Sequence, residues 1–304
     1  MSFIGVSTGQ SSITRLFPTW ARILGLGDAR LVGVDLPFHA EAQVYRRAVT
    51  RIRDDPLSVG ALVTTHKIDL LDAARDLFDE LDPNALLCGE VSNIAKRDGR
   101  LIGFAKDPIT AARTLDEMIP AGRWRSTRAD VLFLGAGGAT TAIATSLLRR
   151  ADTGDRPRRL VAVGRSTRSL GRLRSVIEHI GSSVAVEYVH NQEPTVNDRI
   201  LRDLPDGSLV VNATGMGKDR PGSPLSDGAV FPKAGIVWDL NYRGELELLR
   251  QARAQEALRA LSIHDGWRYF IHNWLEHIAE VFGLRIDSAT FDRLAAVAND
   301  ARHE

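Results

Sequence analysis

The sequence predicts an α/β protein of two domains, each a sheet covered by helices. Three observations carry this. Short apolar runs alternate with segments of helical spacing along most of the chain, the pattern of parallel or mixed sheets with helices on both faces. A glycine-rich turn, "GAGGAT" at 135–140, follows an apolar strand and opens a helix. The 304 residues, 44% hydrophobic and 25% charged, suffice for two buried cores, since a domain holds roughly 100 to 200 residues.

In the N-terminal part the elements follow in order: strand "FIGVS", helix "ITRLFPTWARILGL", strand "ARLVGVDL", helix "AEAQVYRRAVTRIRDD", strand "VGALVTT" and helix "KIDLLDAARDLFDEL". In the last of these Leu70, Leu71, Ala74, Leu77 and Phe78 form one apolar stripe at helical spacing. Lys67 thus stands where a strand ends and a helix begins, the edge at which open α/β sheets bind ligands. A hairpin turning on Asp98 and Gly99 comes next, and then Asp107 and Pro108 open a helix.

The second domain starts near "GRWRSTRADVLFLGAGGATTAIATSLLRR". Its strand Val131 to Leu134 runs into the glycine turn, followed by strand "RLVAVGRS", helix "LGRLRSVIEHI" and strands "SVAVEYV", "GSLVVNAT" and "GIVWDLNY". This repeat is that of a Rossmann-type dinucleotide-binding domain. Helices "WRYFIHNWLEHIAEVFG" and "ATFDRLAAVANDAR" close the chain.

Charge and composition exclude several classes. A net charge of +1 leaves no basic footprint for nucleic acid. No segment nears the roughly 18 apolar residues of a membrane span, and "MSFIGVSTGQSS" lacks the basic flank and apolar core of a signal peptide. The expectation is a cytoplasmic protein without membrane contact. Cys88 is the only cysteine, which rules out an internal disulfide and a zinc site built on several thiolates; a buried, inert thiol is expected. His272 and His277 lie five apart and do not share a helix face as a metal pair would, so no metal site is expected.

The chemistry-bearing candidates fall into two groups. Gly135, Gly137, Gly138 and Ala139 would let backbone N–H groups and a helix N-terminus meet a pyrophosphate, with Thr140 where a third glycine usually stands. At the end of the next strand Arg165, Ser166 and Arg168 offer cations and no carboxylate, which favours NADP and leaves NAD open. The second group is Lys67 and Asp107. In a chain with 34 Arg and 5 Lys, a lysine at a strand exit supplies a group able to lose its proton; a solvated lysine at a helix N-terminus is the other reading, and the residues alone leave both open. Asp107 fits a helix N-cap with Pro at N1, a role compatible with a catalytic carboxylate.

Taken together, the motifs resemble those of the shikimate and quinate dehydrogenase family, in order and over nearly the full length. "GALVTTHK" is similar to its G-x-N-V-T-x-P-x-K, "GEVSNIAKRDGRLIGFAKD" to G-A-V-N-T followed by G-x-x-x-G-x-N-T-D, and "VLFLGAGGAT", "VVNATGMG", "WDLNY" and "DGWRYFIHN" to its later segments. The resemblance implies a proton-transfer pair at Lys67 and Asp107. It implies a substrate site lined by Thr64, Ser92, Tyr242 and Asn273, with Ser12 and Thr14 matching the S-x-S loop that holds a carboxylate, Ser11 aligning as well as Ser12. It further implies cofactor contacts from Asn212, Thr214 and Gly266, and a homodimer.

Departures from the family pattern bear on the substrate. Leu62 and Ser92 replace two Asn, Lys106 replaces the Thr before the aspartate, and the "TTHK" step is one residue short, without its Pro. Sites built to bond a hydroxyl discriminate steeply, so the preferred ring should shift. Lys106 is expected to be solvated, with an anionic substituent of the substrate or Lys67 as its alternative neighbours. His66 is expected as a polar surface residue, with substrate contact the alternative.

The sequence therefore predicts a substrate domain of residues 1–115 completed by helices in 265–304, an NADP domain at 116–264, and an active site in the cleft between them. The expected activity interconverts a ring alcohol and ketone on a small cyclic polyol. Shikimate or quinate dehydrogenase activity proper, and a non-catalytic ligand sensor, are the alternatives.

Overall fold

The computed structural model describes residues 1–218 and 220–302. The chain divides into two compact units, Met1–Asp107 with Ile271–Glu304, and Pro108–Phe270.

The first unit contains β1 (Ser2–Gly5), α1 (Ile13–Ile23), β2 (Val32–Asp35), α2 (Ala42–Asp54), β3 (Gly60–Val63), α3 (Lys67–Ala74), β4 (Glu80–Leu81), α4 (Pro83–Cys88), β5 (Asn93–Arg97) and β6 (Arg100–Phe104), and ends on the first residue of α5 (Asp107–Met118). Its sheet has the order β2-β1-β3-β5-β6-β4. β1 runs parallel to β2 and β3, whereas β5 is antiparallel to both β3 and β6. The β5–β6 turn places Asp98 at φ 51° and Gly99 at φ 75°, the left-handed pair of a two-residue hairpin that the Asp-Gly sequence favours.

Helical spacing after Lys67 suggested one helix through Leu81, but α3 stops at Ala74. A 3-10 turn takes Arg75–Leu77, and Glu80–Leu81 pairs with β6. Leu77 and Phe78 pack against the same core as Leu70 and Leu71. Their burial is satisfied either way, and the hydrogen bond from Asp79 N–H to the Leu101 carbonyl, 2.9 Å, draws the chain into the sheet. α4 is then built from local signals. Asp82 caps it through Ala85 N–H, Pro83 opens it, and Gly89 ends it at φ 62°.

The second unit holds α6 (Arg123–Thr127), β7 (Val131–Leu134), α7 (Gly138–Leu148), β8 (Arg159–Gly164), α8 (Thr167–Ile180), β9 (Ala185–His190), α9 (Pro194–Arg202), β10 (Leu209–Asn212), β11 (Ile236–Asp239), α10 (Glu247–Arg253), α11 (Glu256–Arg259) and β12 (Ser262–His264). Its sheet is wholly parallel in the order β12-β11-β10-β7-β8-β9, the doubly wound Rossmann arrangement. Val131 and Phe133 enter one apolar cluster while Leu132 and Leu134 enter another. Burial on both faces explains why β7 reads as an unbroken apolar run. The chain then returns to the first unit through α12 (Trp267–Phe282) and α13 (Ser288–Arg302). There Trp274 meets Phe3 edge to face at 4.8 Å, and Trp20 Nε1 donates to the Leu294 carbonyl at 3.0 Å. α9 and β12 did not show in the sequence pattern; β12 is only three residues long, too short for alternation to register.

Gly60 sits at φ 144°, and a Cβ there would lie 2.1 Å from the Ile94 carbonyl oxygen of β5. Gly60→Ala should therefore lower the thermal midpoint by more than about 5 °C. A circular-dichroism melt superposing on wild type would contradict this packing.

Candidate active site

Lys67 is the first residue of α3, directly after a turn that the shortened loop makes unusually tight. His66 N–H donates to the Thr64 carbonyl at 2.5 Å across Thr65, which takes φ 61°. A β-branched residue in that region is strained, and such strain persists only where surrounding contacts hold it. Here His66 holds it, contrary to the expected surface position. Its ring is buried, with Nε2 on the Leu36 carbonyl at 3.1 Å and Nδ1 on the Tyr45 hydroxyl at 3.2 Å. Tyr45 in turn accepts from Ala40 N–H. These partners assign a neutral imidazole donating from Nε2, and burial lowers its pKa in agreement.

Asp107 opens α5, where the helix N-terminus favours a carboxylate. Its Oδ2 accepts from the Lys67 ammonium, and its Oδ1 accepts from Asn273 Nδ2 of α12 at 2.9 Å. The Lys67 side chain is 20% exposed and that of Asp107 2%. The pair is thus largely shielded from solvent. Burial pushes the Lys67 pKa below its ordinary value, partly opposed by Glu90 and Cys88. Thr64 and Ser12 are half-buried in this unit, while Thr14 is exposed and its hydroxyl turns back onto the Ser11 carbonyl at 2.7 Å.

Ser92 is fully buried and its hydroxyl is engaged within the unit. Lys106 N–H donates to it at 2.9 Å, and His277 Nε2 lies 3.3 Å away. His277 Nδ1 donates to the Asn273 carbonyl, so Nε2 accepts the Ser92 proton. Burial pushes the His277 pKa down to about 3, which keeps the ring neutral. Lys106 is not solvated as expected. Its ammonium pairs with Glu280 and, at 3.5 Å, with Glu276, and lies 5.0 Å over the Phe104 ring. Both carboxylates come from α12, a partner that strand periodicity cannot reveal.

In the second unit Gly135 takes φ 111°, and a Cβ there would lie 2.7 Å from the Ala213 carbonyl. The loops after β7 and β10 therefore touch at the point where strand order reverses, the usual ligand crevice of such sheets. Asn212 organises the second loop. Its Oδ1 accepts from Thr214 N–H and Oγ1, and its Nδ2 donates to Asp239 Oδ2 at 3.1 Å. Gly137 caps α7, and among the described residues no atom beyond its own chain neighbours lies within 4 Å of where its Cβ would be. Gly138 and Ala139 form the first turn of α7, and Thr140, in place of a third glycine, bonds the Gly135 carbonyl at 2.8 Å. Arg165 and Arg168 are exposed after β8, and Ser166 caps α8 through Ser169 N–H. Tyr242 packs against Trp267 and Phe270. At Gly266 a Cβ would lie 1.9 Å from the Leu240 carbonyl, a close approach only glycine permits.

Two residues escaped the sequence reading. Burial pushes Asp239 of "WDLNY" up to about 6. Glu90 is 2% exposed, and its only sequence signal is a charge set between Gly89 and Val91.

No protein-family model matches the chain. It is 30% identical over 245 residues to a shikimate dehydrogenase (NADP(+)) of Symbiobacterium thermophilum, covering 77% of each chain. Among solved structures it resembles shikimate dehydrogenase from Aquifex aeolicus, with TM-score 0.74 and 19% identity over 100% of this chain and 97% of that one. It also resembles the ligand-free 5-ketofructose reductase of Gluconobacter sp. strain CHM43, with TM-score 0.68 and 21% identity over 98% and 97%. The structural likenesses speak for the fold, and the sequence relative, aligned over more than three quarters of both chains, for descent. On these grounds the chain belongs to the shikimate dehydrogenase family.

Proposed function

We propose that this protein is an NADP-dependent oxidoreductase that interconverts a ring alcohol and a ring ketone on a shikimate-like hydroxylated cyclohexane or cyclohexene. The buried ion pair of Lys67 and Asp107, formed from two separate strand-to-helix junctions, carries this reading. The residues of the second unit fit the cofactor. Gly137 leaves backbone N–H groups of the eleven-residue α7 open to a pyrophosphate, and Arg165 and Arg168 present cations suited to a ribose phosphate. When bound, the nicotinamide supplies or accepts the hydride.

This chain's part is proton transfer and orientation. In reduction, the Lys67 ammonium donates a proton to the carbonyl oxygen as negative charge grows there; in oxidation the neutral amine takes the hydroxyl proton. A lysine whose pKa burial has lowered serves both directions better than a solvated one. Asp107 aims the amine and accepts from a ring hydroxyl, while Asn273 fixes the carboxylate plane. Thr64, Ser12 and Thr14 are proposed to meet ring substituents. With Leu62 buried and the Ser92 hydroxyl already engaged, two amide contacts of the family pattern are absent, which supports a ring other than shikimate. The Symbiobacterium relative's name supports the second reading, shikimate itself.

Following NADPH absorbance with a panel of ring ketones, 3-dehydroshikimate included, tests both. Lys67→Ala should lower kcat by about 10²–10⁴ with an unchanged circular-dichroism spectrum; near-normal turnover would remove the lysine from the mechanism. Because reduction needs the ammonium, its kcat should fall as pH rises through a Lys67 pKa below the ordinary lysine value, while oxidation gains over the same range. A reduction rate flat across the alkaline range would contradict this. Replacing Arg165 and Arg168 together by Ala should weaken NADPH about tenfold or more and leave NADH nearly unaffected, read by cofactor fluorescence.

A further inference from the structure

Lys67 has more against its charge than one carboxylate answers. The amine belongs to the first residue of α3, where the helix dipole disfavours a cation. It is largely shielded from water, and Asp107, its ion-pair partner, already shares its other oxygen with Asn273. Glu90 lies close by. Val91 N–H donates to the Lys67 carbonyl at 3.1 Å, which fixes the turn after α4 against the start of α3. Gly89 in the left-handed region directs the chain there. The Glu90 side chain is 2% exposed, and its Oε1 has no hydrogen-bond partner among the described residues. A carboxylate buried so is costly unless a cation faces it. In the family motif G-A-V-N-T this position is Ala, so the ordinary site does without it.

We propose that Glu90 is a positioning residue for Lys67, a second buried carboxylate whose field, added to that of Asp107, keeps the amine charged. It acts through the lysine and does not touch substrate. This rests on the reading of Lys67 as the proton donor. The coupling runs both ways. Burial raises the Glu90 pKa and Lys67 lowers it, while burial lowers the Lys67 pKa and Glu90 raises it. The other groups around the amine leave this balance in place. Cys88 of α4 acts in the same direction as Glu90, and His277 of α12 is neutral. Lys106 is paired with Glu276 and Glu280. Glu90 thereby widens the pH range over which the ammonium is available for ketone reduction.

The test is an NMR titration of the full-length protein labelled with ¹³Cε-lysine, whose 5 lysines give few signals; Lys67→Met assigns the one of interest. In Glu90→Gln the Lys67 midpoint should fall by about one pH unit or more, and Glu90→Asp should restore part of it. The alkaline limb of kcat for reduction should move down equally. Glu90→Ala, the residue of the family motif, carries the same test if the buried amide prevents folding. As a reciprocal measurement, the Glu90 ¹³Cδ midpoint should rise in Lys67→Met. A Lys67 midpoint unmoved or raised in the Glu90 variants, or a Glu90 midpoint unmoved in Lys67→Met, overturns the proposal. Wild-type protein that reduces no ring ketone would overturn the reaction instead, while the midpoints still decide the role of Glu90.

Discussion

An amine withdrawn from water at the start of a helix is the constraint around which the first unit is organised. Desolvation and the dipole of α3 both oppose the ammonium, so the fold must bring negative charge to it. Asp107 does so from the N-terminus of α5, where its own charge is favoured, and Asn273 of α12 holds the carboxylate in plane. α12 is tied in turn by Asn93 Nδ2 to the His277 carbonyl and by Lys106 between Glu276 and Glu280. Elements distant in sequence thus converge on one ion pair.

The shortened loop before Lys67 belongs to the same logic. Without the proline of the family pattern, the chain turns across Thr65 in a conformation that a β-branched residue resists. The buried His66, braced by Tyr45 and the Leu36 carbonyl, keeps the turn closed and so sets where α3 begins. A residue beside the reactive group need not share its chemistry. His66 is a scaffold, neutral and inaccessible, and its adjacency to Lys67 in sequence says nothing of a shared task.

The second unit solves a different problem, admission of backbone to a phosphate. It does so with absence of side chains. Gly135 makes way for the loop after β10, and Gly137 leaves its surroundings open. Asn212 and Asp239, both buried, hold that neighbouring loop through hydrogen bonds to Thr214 and Asn241. Thr140 shows how the missing third glycine is accommodated, since its hydroxyl returns to the Gly135 carbonyl where a bare glycine would have allowed contact.

What the sequence determined by itself is whatever local chemistry encodes. The alternation of apolar runs with helical spacing, the Asp-Gly hairpin, the glycine turn after β7 and the strand-exit place of Lys67 are short-range signals, and α/β architecture follows from them. Tertiary structure decided the rest, because burial and charge pairing join residues far apart in the chain. Lys106 reads as a surface lysine until α12 brings Glu276 and Glu280 to it, Ser92 as a ligand contact until His277 and the Lys106 N–H claim its hydroxyl, and Phe78 as helical until β6 draws the chain into the sheet. Glu90 was invisible for the same reason: a carboxylate acquires meaning only from the amine that folding sets beside it.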